Sequence, residues 1–273
     1  MPELPEVQTV VDTLQQLVVG KQITSIALYY ERLLESTSQK ELETLTGQTI
    51  QEISRRGKYL IFQCSADCFI AHLRMEGKFI YYPSNHRPAI HTHAVFGFSD
   101  GSELHFNDTR KFGRIGVYSS SALYFEAKGL GIEPFSPDFS GEELFQRFAR
   151  YHKPIKTTLL DQHCIAGIGN IYADEVLFDC RIHPLTPANQ LSRQQCHELA
   201  ASIVAILSRA IERGGTTIRS FESSHHVNGL FQIELNAYGR AGLACHRCQH
   251  KLERMKISGR YATYCPHCQK RRD

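Results

Sequence analysis

No apolar run in this 273-residue chain approaches the roughly 20 residues that a membrane-spanning helix requires. The first residues lack a basic segment followed by an apolar stretch, so a secretory signal is not expected. Internal repeats and low-complexity tracts are absent, which argues against solenoid and disordered architectures. An excess of either charge is also lacking over the whole chain, whose formal net charge is +3. These absences leave a cytoplasmic protein as the expectation. At 42% hydrophobic and 22% charged, the chain has the composition of a globular protein, and its length allows two domains with a proper core.

The charge that is present is unevenly placed. Residues 240–273 hold nine basic and two acidic side chains, a balance of +7, against −4 for the remainder. A basic module on a near-neutral body points to an anionic partner, nucleic acid first. The same tail carries Cys245, Cys248, Cys265 and Cys268 as two C-x2-C pairs. Each pair offers two thiolates from one turn, and together they make a tetrahedral zinc site with no open position. One structural Zn2+ per chain is therefore expected. The other cysteines, Cys64, Cys68, Cys164, Cys180 and Cys196, are scattered and expected to be reduced.

Apolar side chains at Val7, Val10, Val11, Leu14, Leu17 and Val18 predict a helix over 3–19 that ends at Gly20. Short β segments follow to about Tyr124, among them Phe69–Met75 and Gly113–Ser119, and predict an antiparallel sandwich. Residues 131–141, with Pro134, Pro137 and Gly141, read as a linker. Helices are then predicted over 142–151, 156–160, 170–179 and 192–213. The glycine-rich turn Gly167-Ile168-Gly169-Asn170 opens the third of these and exposes backbone N–H groups suited to a phosphate.

The chain opens Met1-Pro2-Glu3-Leu4-Pro5-Glu6. Proline after the initiator favours removal of Met1, which would free a secondary amine at the positive end of a helix. Such an amine can attack an aldehyde-like carbon, and a neighbouring carboxyl can move the proton. By themselves the same residues favour the plainer reading of a simple helix start.

Several stretches resemble bacterial formamidopyrimidine-DNA glycosylase, the 8-oxoguanine DNA glycosylases. They are Pro-Glu-Leu-Pro-Glu-Val at 2–7, Arg-Arg-Gly-Lys-Tyr-Leu at 55–60 and His-Leu-Arg-Met-Glu-Gly-Lys at 72–78. Asp-Thr-Arg-Lys-Phe-Gly at 108–113, Gly-Ile-Gly-Asn-Ile-Tyr-Ala-Asp-Glu at 167–175 and the run from Gly259 to Gln269 complete the set, in order along nearly the whole chain. The resemblance implies an α+β protein. An N-terminal helix and antiparallel β-sandwich form a catalytic domain over 1–130. A helical domain with a helix–two-turn–helix element covers 142–239, and a β-hairpin zinc finger covers 240–273.

It further implies a monomer acting on double-stranded DNA that contains oxidised purines or abasic sites, in a bacterial cytoplasm. Pro2 would be the nucleophile and Glu3 a proton donor. Lys58, on a β-strand in the family, and Arg260 would serve β- and δ-elimination and grip phosphate. His72, His91, Lys156 and Asn170 would be DNA contacts, and Glu6 a lesion contact. Met75, Arg110 and Phe112 would fill the space left by a flipped base. Residues 216–229 would close over that base and be mobile without DNA. Without the family, Met75 and Phe112 would read as ordinary strand residues of the core.

Overall fold

The computed structural model describes residues 1–215, 221–222 and 234–271. Of the expected lesion-capping loop at 216–229 only residues 221–222 are described; the rest, and with it the expected mobility, lies outside the described residues. Among the described residues no helix is long and apolar enough to cross a membrane. The chain divides into two compact units, Met1–Lys128 with Gly214–Gly229, and Gly129–Arg213 with Leu230–Asp273.

The first unit begins with α1, Leu4–Val18. Its predicted apolar stripe is real: Val7, Val10, Val11, Leu14 and Val18 are buried. Val19 leaves the helix in extended conformation, and Gly20, at φ +84°, completes the turn that follows, in which the Lys21 N–H donates to the Val18 carbonyl. The chain continues through β1 (Ile23–Leu28), a short α2 (Gln39–Glu43), β2 (Ile50–Arg56), β3 (Tyr59–Cys64), β4 (Cys68–His72), β5 (Lys78–Tyr82), β6 (Thr92–Phe98), β7 (Glu103–Asn107) and β8 (Arg114–Tyr118). Helix α3 (Ser121–Lys128) and a two-residue strand β9 (Phe221–Glu222) complete the unit. One sheet runs β1-β6-β7-β5-β9, in which only β9 pairs parallel, and the other β2-β3-β4-β8, antiparallel throughout.

An aromatic column joins the sheets. Phe62 on β3 stacks on Phe69 of β4 at 4.1 Å, and Phe69 stacks on Phe96 of β6 at 5.2 Å. Phe62 also meets Phe79 of β5 edge-on, and Phe79 meets Phe106 of β7 in the same way. All five rings are buried, so their apolar area and ring geometry both favour the closed sandwich.

The structure corrects three local expectations. The strand predicted to reach Met75 stops at His72, because Arg74 takes φ +55° and turns the chain. Met75 is therefore a half-buried turn residue, and Phe112, just ahead of β8, is 46% exposed. Neither is in the core. Lys58 lies in the turn between β2 and β3 rather than on a strand. Helix α3 was not expected from the sequence. It is held through Glu35, which takes a 3.0 Å ion pair from Lys128 and a longer hydrogen bond from Tyr124.

The second unit holds α4 (Gly141–Phe148), α5 (Ile155–Leu160), α6 (Asn170–Asp179), α7 (Arg193–Glu212) and the hairpin β10 (Glu253–Ile257) and β11 (Arg260–Tyr264). Ser140 and Ser192 cap α4 and α7 with their hydroxyls. Residues 131–141 belong to this unit. Gly131 N–H donates to the Gln162 carbonyl, and Ala166 N–H donates to that of Ile132. The tail from 240 shares the unit too, and Phe178 of α6 packs in one buried cluster with Ala237, Cys245, Leu252 and Cys265.

Truncating Phe62 to alanine should cost the first unit about 3–5 kcal/mol, since it removes a buried ring that touches both sheets. Urea denaturation followed by circular dichroism measures this. A loss below about 1 kcal/mol would show that the column is not the core's main support.

Candidate active site and nucleic-acid contacts

Pro2 is half-buried just ahead of α1. Glu3 is the N-cap, with extended backbone, and is 3% exposed. Its N–H donates to Glu6 Oε2 at 2.9 Å, so the carboxylate one turn along the helix closes over the helix start. Gly215 approaches the other side of Glu6. A Cβ there, at φ +77°, would lie 2.8 Å from Glu6 Oε1, so the backbone comes as close as only glycine permits. The structure thus groups Pro2, Glu3, Glu6 and Gly215 at one helix terminus.

His72 is buried and its Nδ1 accepts the Arg74 N–H at 2.9 Å. Burial, and then the positive charges of Arg74, Lys58 and Lys128, push its pKa down to about 3. The imidazole is neutral at physiological pH, with its proton on Nε2. Lys58 is buried within the field felt by this ring. The edge of Tyr59 packs against the ring at 4.5 Å.

Asp108 was not foreseen as a functional residue. It is 1% exposed, and one oxygen accepts the Arg110 N–H while the other accepts those of Phe112 and Gly113. These bonds wrap 109–113 around a buried carboxylate, with Lys111 at φ +60°. Arg110 and Phe112 project from this turn, the guanidinium 4.9 Å from the ring centre. Thr109 donates to Glu76 and so ties this turn to the one that carries Met75. His91 is half-buried, and its carbonyl accepts the Asp108 N–H. The only sequence signal for this scaffold was an aspartate just before a polar turn, which many surface turns share.

In the second unit the structure changes the reading of Lys156. Its side chain is fully buried, and Nζ donates to Asp174 Oδ1 at 2.6 Å and to the Asn170 carbonyl at 3.0 Å. Placed so, it is an internal strut and not an open phosphate clamp. Burial raises the Asp174 pKa to about 6, against the pull of Lys156. The second Asp174 oxygen accepts the Thr263 N–H of β11, and Glu175 accepts N–H groups from Asn236, Ala237 and Tyr238, each at 2.9 Å. Both carboxylates sit in the middle of α6, beyond its first turn, so the hydrogen bonds rather than the helix dipole account for them. Asn170 is the first residue of that helix, and its Oδ1 is buried without a partner among the described residues. Arg260 is exposed at the start of β11, and Thr157 Oγ1 lies 3.3 Å from Ser258 Oγ in the adjoining turn.

The sulfurs of Cys245, Cys248, Cys265 and Cys268 lie within 4.8 Å of one another. Four thiols converging on one point, two of them buried, fit a closed zinc centre. Burial opposes ionisation of Cys245, but backbone N–H groups of Arg247 and Cys248 bring its pKa down to about 7. Cys64, by contrast, is pushed up to about 12 and Cys164, Cys180 and Cys196 to about 11, each mainly by burial. These are inert thiols.

Three family models match the chain. The formamidopyrimidine-DNA glycosylase N-terminal domain matches residues 1–115 and the H2TH domain of the same enzymes 130–222. A zinc finger found in FPG and IleRS matches 242–271. The formamidopyrimidine-DNA glycosylase of Exiguobacterium sp. is 42% identical over 99% of this chain and 100% of its own. That of Ligilactobacillus salivarius is 44% identical, over 98% and 99%. A Lactococcus lactis FPG mutant bound to Fapy-dG-containing DNA superposes with a TM-score of 0.92 at 40% identity, covering 99% of this chain and all of that one. MutM in complex with carbocyclic 8-oxo-G-containing DNA gives the same TM-score, identity and coverage. With identity of this level along its whole length, the chain belongs to the formamidopyrimidine-DNA glycosylase family.

Proposed function

We propose that this chain is a bifunctional base-excision repair enzyme of the bacterial cytoplasm. It excises oxidised purines, 8-oxoguanine and formamidopyrimidines, from duplex DNA and then cuts the strand. It acts as a monomer. The observation that carries the reading is the start of α1, where a proline is followed by a buried glutamate capped by a second carboxylate.

The damaged nucleotide must leave the duplex before its C1′ atom is reachable. With Met1 removed, the Pro2 nitrogen bonds to C1′ and the base departs with the electrons of its glycosidic bond. Glu3 delivers a proton to the ring oxygen and the sugar opens, leaving an iminium between Pro2 and C1′. The iminium draws electrons from C2′, so its proton is lost and the 3′ phosphate leaves. Loss of the 5′ phosphate by δ-elimination follows, and a gap with phosphate at both ends remains. Glu6 holds the Glu3 backbone in place and, by the family resemblance, would contact the lesion.

Lys58 supplies a buried cation for β-elimination, and Arg260 an exposed one for δ-elimination and phosphate. A neutral His72 donates an N–H to the backbone without adding charge. His91 and Asn170 add polar contacts that fix register without reading sequence. Lys156 contributes from within, by holding the N-terminal turn of α6 through Asn170 and Asp174. On the turn built by Asp108, Phe112 can wedge a base step and Arg110 can hydrogen-bond the orphaned base, while Met75 fills the space beside them. The four cysteines hold a structural zinc ion that braces the hairpin carrying Arg260.

Cleavage of a duplex with 8-oxoguanine opposite cytosine should exceed that of one with thymine glycol by at least about tenfold, a transition-state difference of roughly 1.4 kcal/mol. The reverse preference would assign the chain to oxidised pyrimidines instead. Replacing Cys245 with serine should weaken DNA binding more than it destabilises the N-terminal unit. Gel shift and thermal unfolding, run on the same preparation, report the two effects. A single cooperative loss of both units would contradict this.

A further inference from the structure

The four cysteines account for one metal ion and leave two histidines beside them without a role. His250 follows the first C-x2-C pair, and His267 sits inside the second. A ligand atom from each histidine and the Cys248 sulfur all lie within 4.8 Å of one another. Both rings are exposed and stacked in parallel, with centroids 4.3 Å apart and planes 6° apart.

The tautomer of His250 is set by its neighbour. Its Nδ1 lies 3.3 Å from the Cys248 carbonyl oxygen, which can only accept. Nδ1 therefore carries the proton and Nε2 keeps the lone pair. A ligating imidazole is commonly held this way, with its other N–H on a carbonyl. Charge favours a cation at the same place. Four thiolates around Zn2+ leave a formal charge of roughly −2 on the first centre. Arg247, the cation inside the first pair, is already committed to the Phe178 carbonyl and the Asp179 carboxylate.

We propose that Cys248, His250 and His267 form a second divalent-metal site on the rim of the zinc finger, which shares the Cys248 thiolate with the first. Two imidazoles and a bridging thiolate are a borderline-soft donor set suited to Zn2+. The exposed rings turn about their side-chain bonds to aim both lone pairs at one ion, and water completes its shell. The rim site binds less tightly than the four-thiolate centre, so it fills second and empties first.

Equilibrium dialysis of the untagged, zinc-loaded protein against micromolar Zn2+, followed by elemental analysis, tests this. Wild type should hold two zinc ions per chain, and the double variant His250→Asn with His267→Asn only one. A wild-type chain that stops at one ion, or a double variant that still takes two, would overturn the proposal. If the double variant loses its first ion as well, His250→Asn alone decides. Loss of the second ion only supports the site, and retention of both contradicts it. A wild-type chain with no zinc at all would instead count against the four-cysteine centre, and with it the rim site that depends on it.

Discussion

The hydrogen bond from Glu3 N–H to the Glu6 carboxylate is the constraint on which the start of the N-terminal unit depends. A chain terminus is ordinarily the least ordered part of a domain. Here the first turn of α1 is closed by its own side chains, and the stripe from Val7 to Val18 is sunk in the core, so the residues after Met1 are anchored. That rigidity turns a proline into a candidate nucleophile. An amine at the positive end of a helix dipole is disfavoured in its protonated form, and the neutral form is the one that attacks. Gly215, pressed against Glu6, brings the strand of chain after α7 to the same terminus.

The second unit is organised by acids in the same manner. Asp174 and Glu175 turn the middle of α6 into an anchor for β11 and for the turn at 236–238. The buried Lys156–Asp174 pair is costly to desolvate, and hydrogen bonds offset that cost: Nζ has two acceptors, and both carboxylate oxygens are used. The zinc finger is thus joined to a helix by hydrogen bonds and a shared apolar cluster, and Arg260 stands on a braced hairpin.

Much of this was legible in the residues, for identifiable reasons. Strands β3, β5 and β7 are bounded where turn residues bound them, and α6 begins at the asparagine that follows a glycine-rich turn. The zinc ligands could be read because two C-x2-C pairs leave few other arrangements. What escaped depends on side chains bonding to distant or irregular backbone, which has no period. Asp108 satisfies three N–H groups of a turn, and nothing in its neighbours marks it as different from a surface aspartate. Lys156 is expected from the resemblance as a DNA contact, and nothing in its own neighbourhood of sequence reveals the partner Asp174, a turn into another helix, that buries it. Met75 and Phe112 looked like strand residues because apolar alternation does not reveal that Arg74 and Lys111 take positive φ.

The measurement that bears most directly on the account is borohydride trapping on an 8-oxoguanine duplex, with proteolysis and mass spectrometry to locate the reduced adduct. The account predicts a covalent complex whose sugar remnant maps to a peptide that begins at Pro2, with Met1 absent. An adduct on Lys58 or any other lysine, or cleavage by protein that still carries Met1, would contradict it.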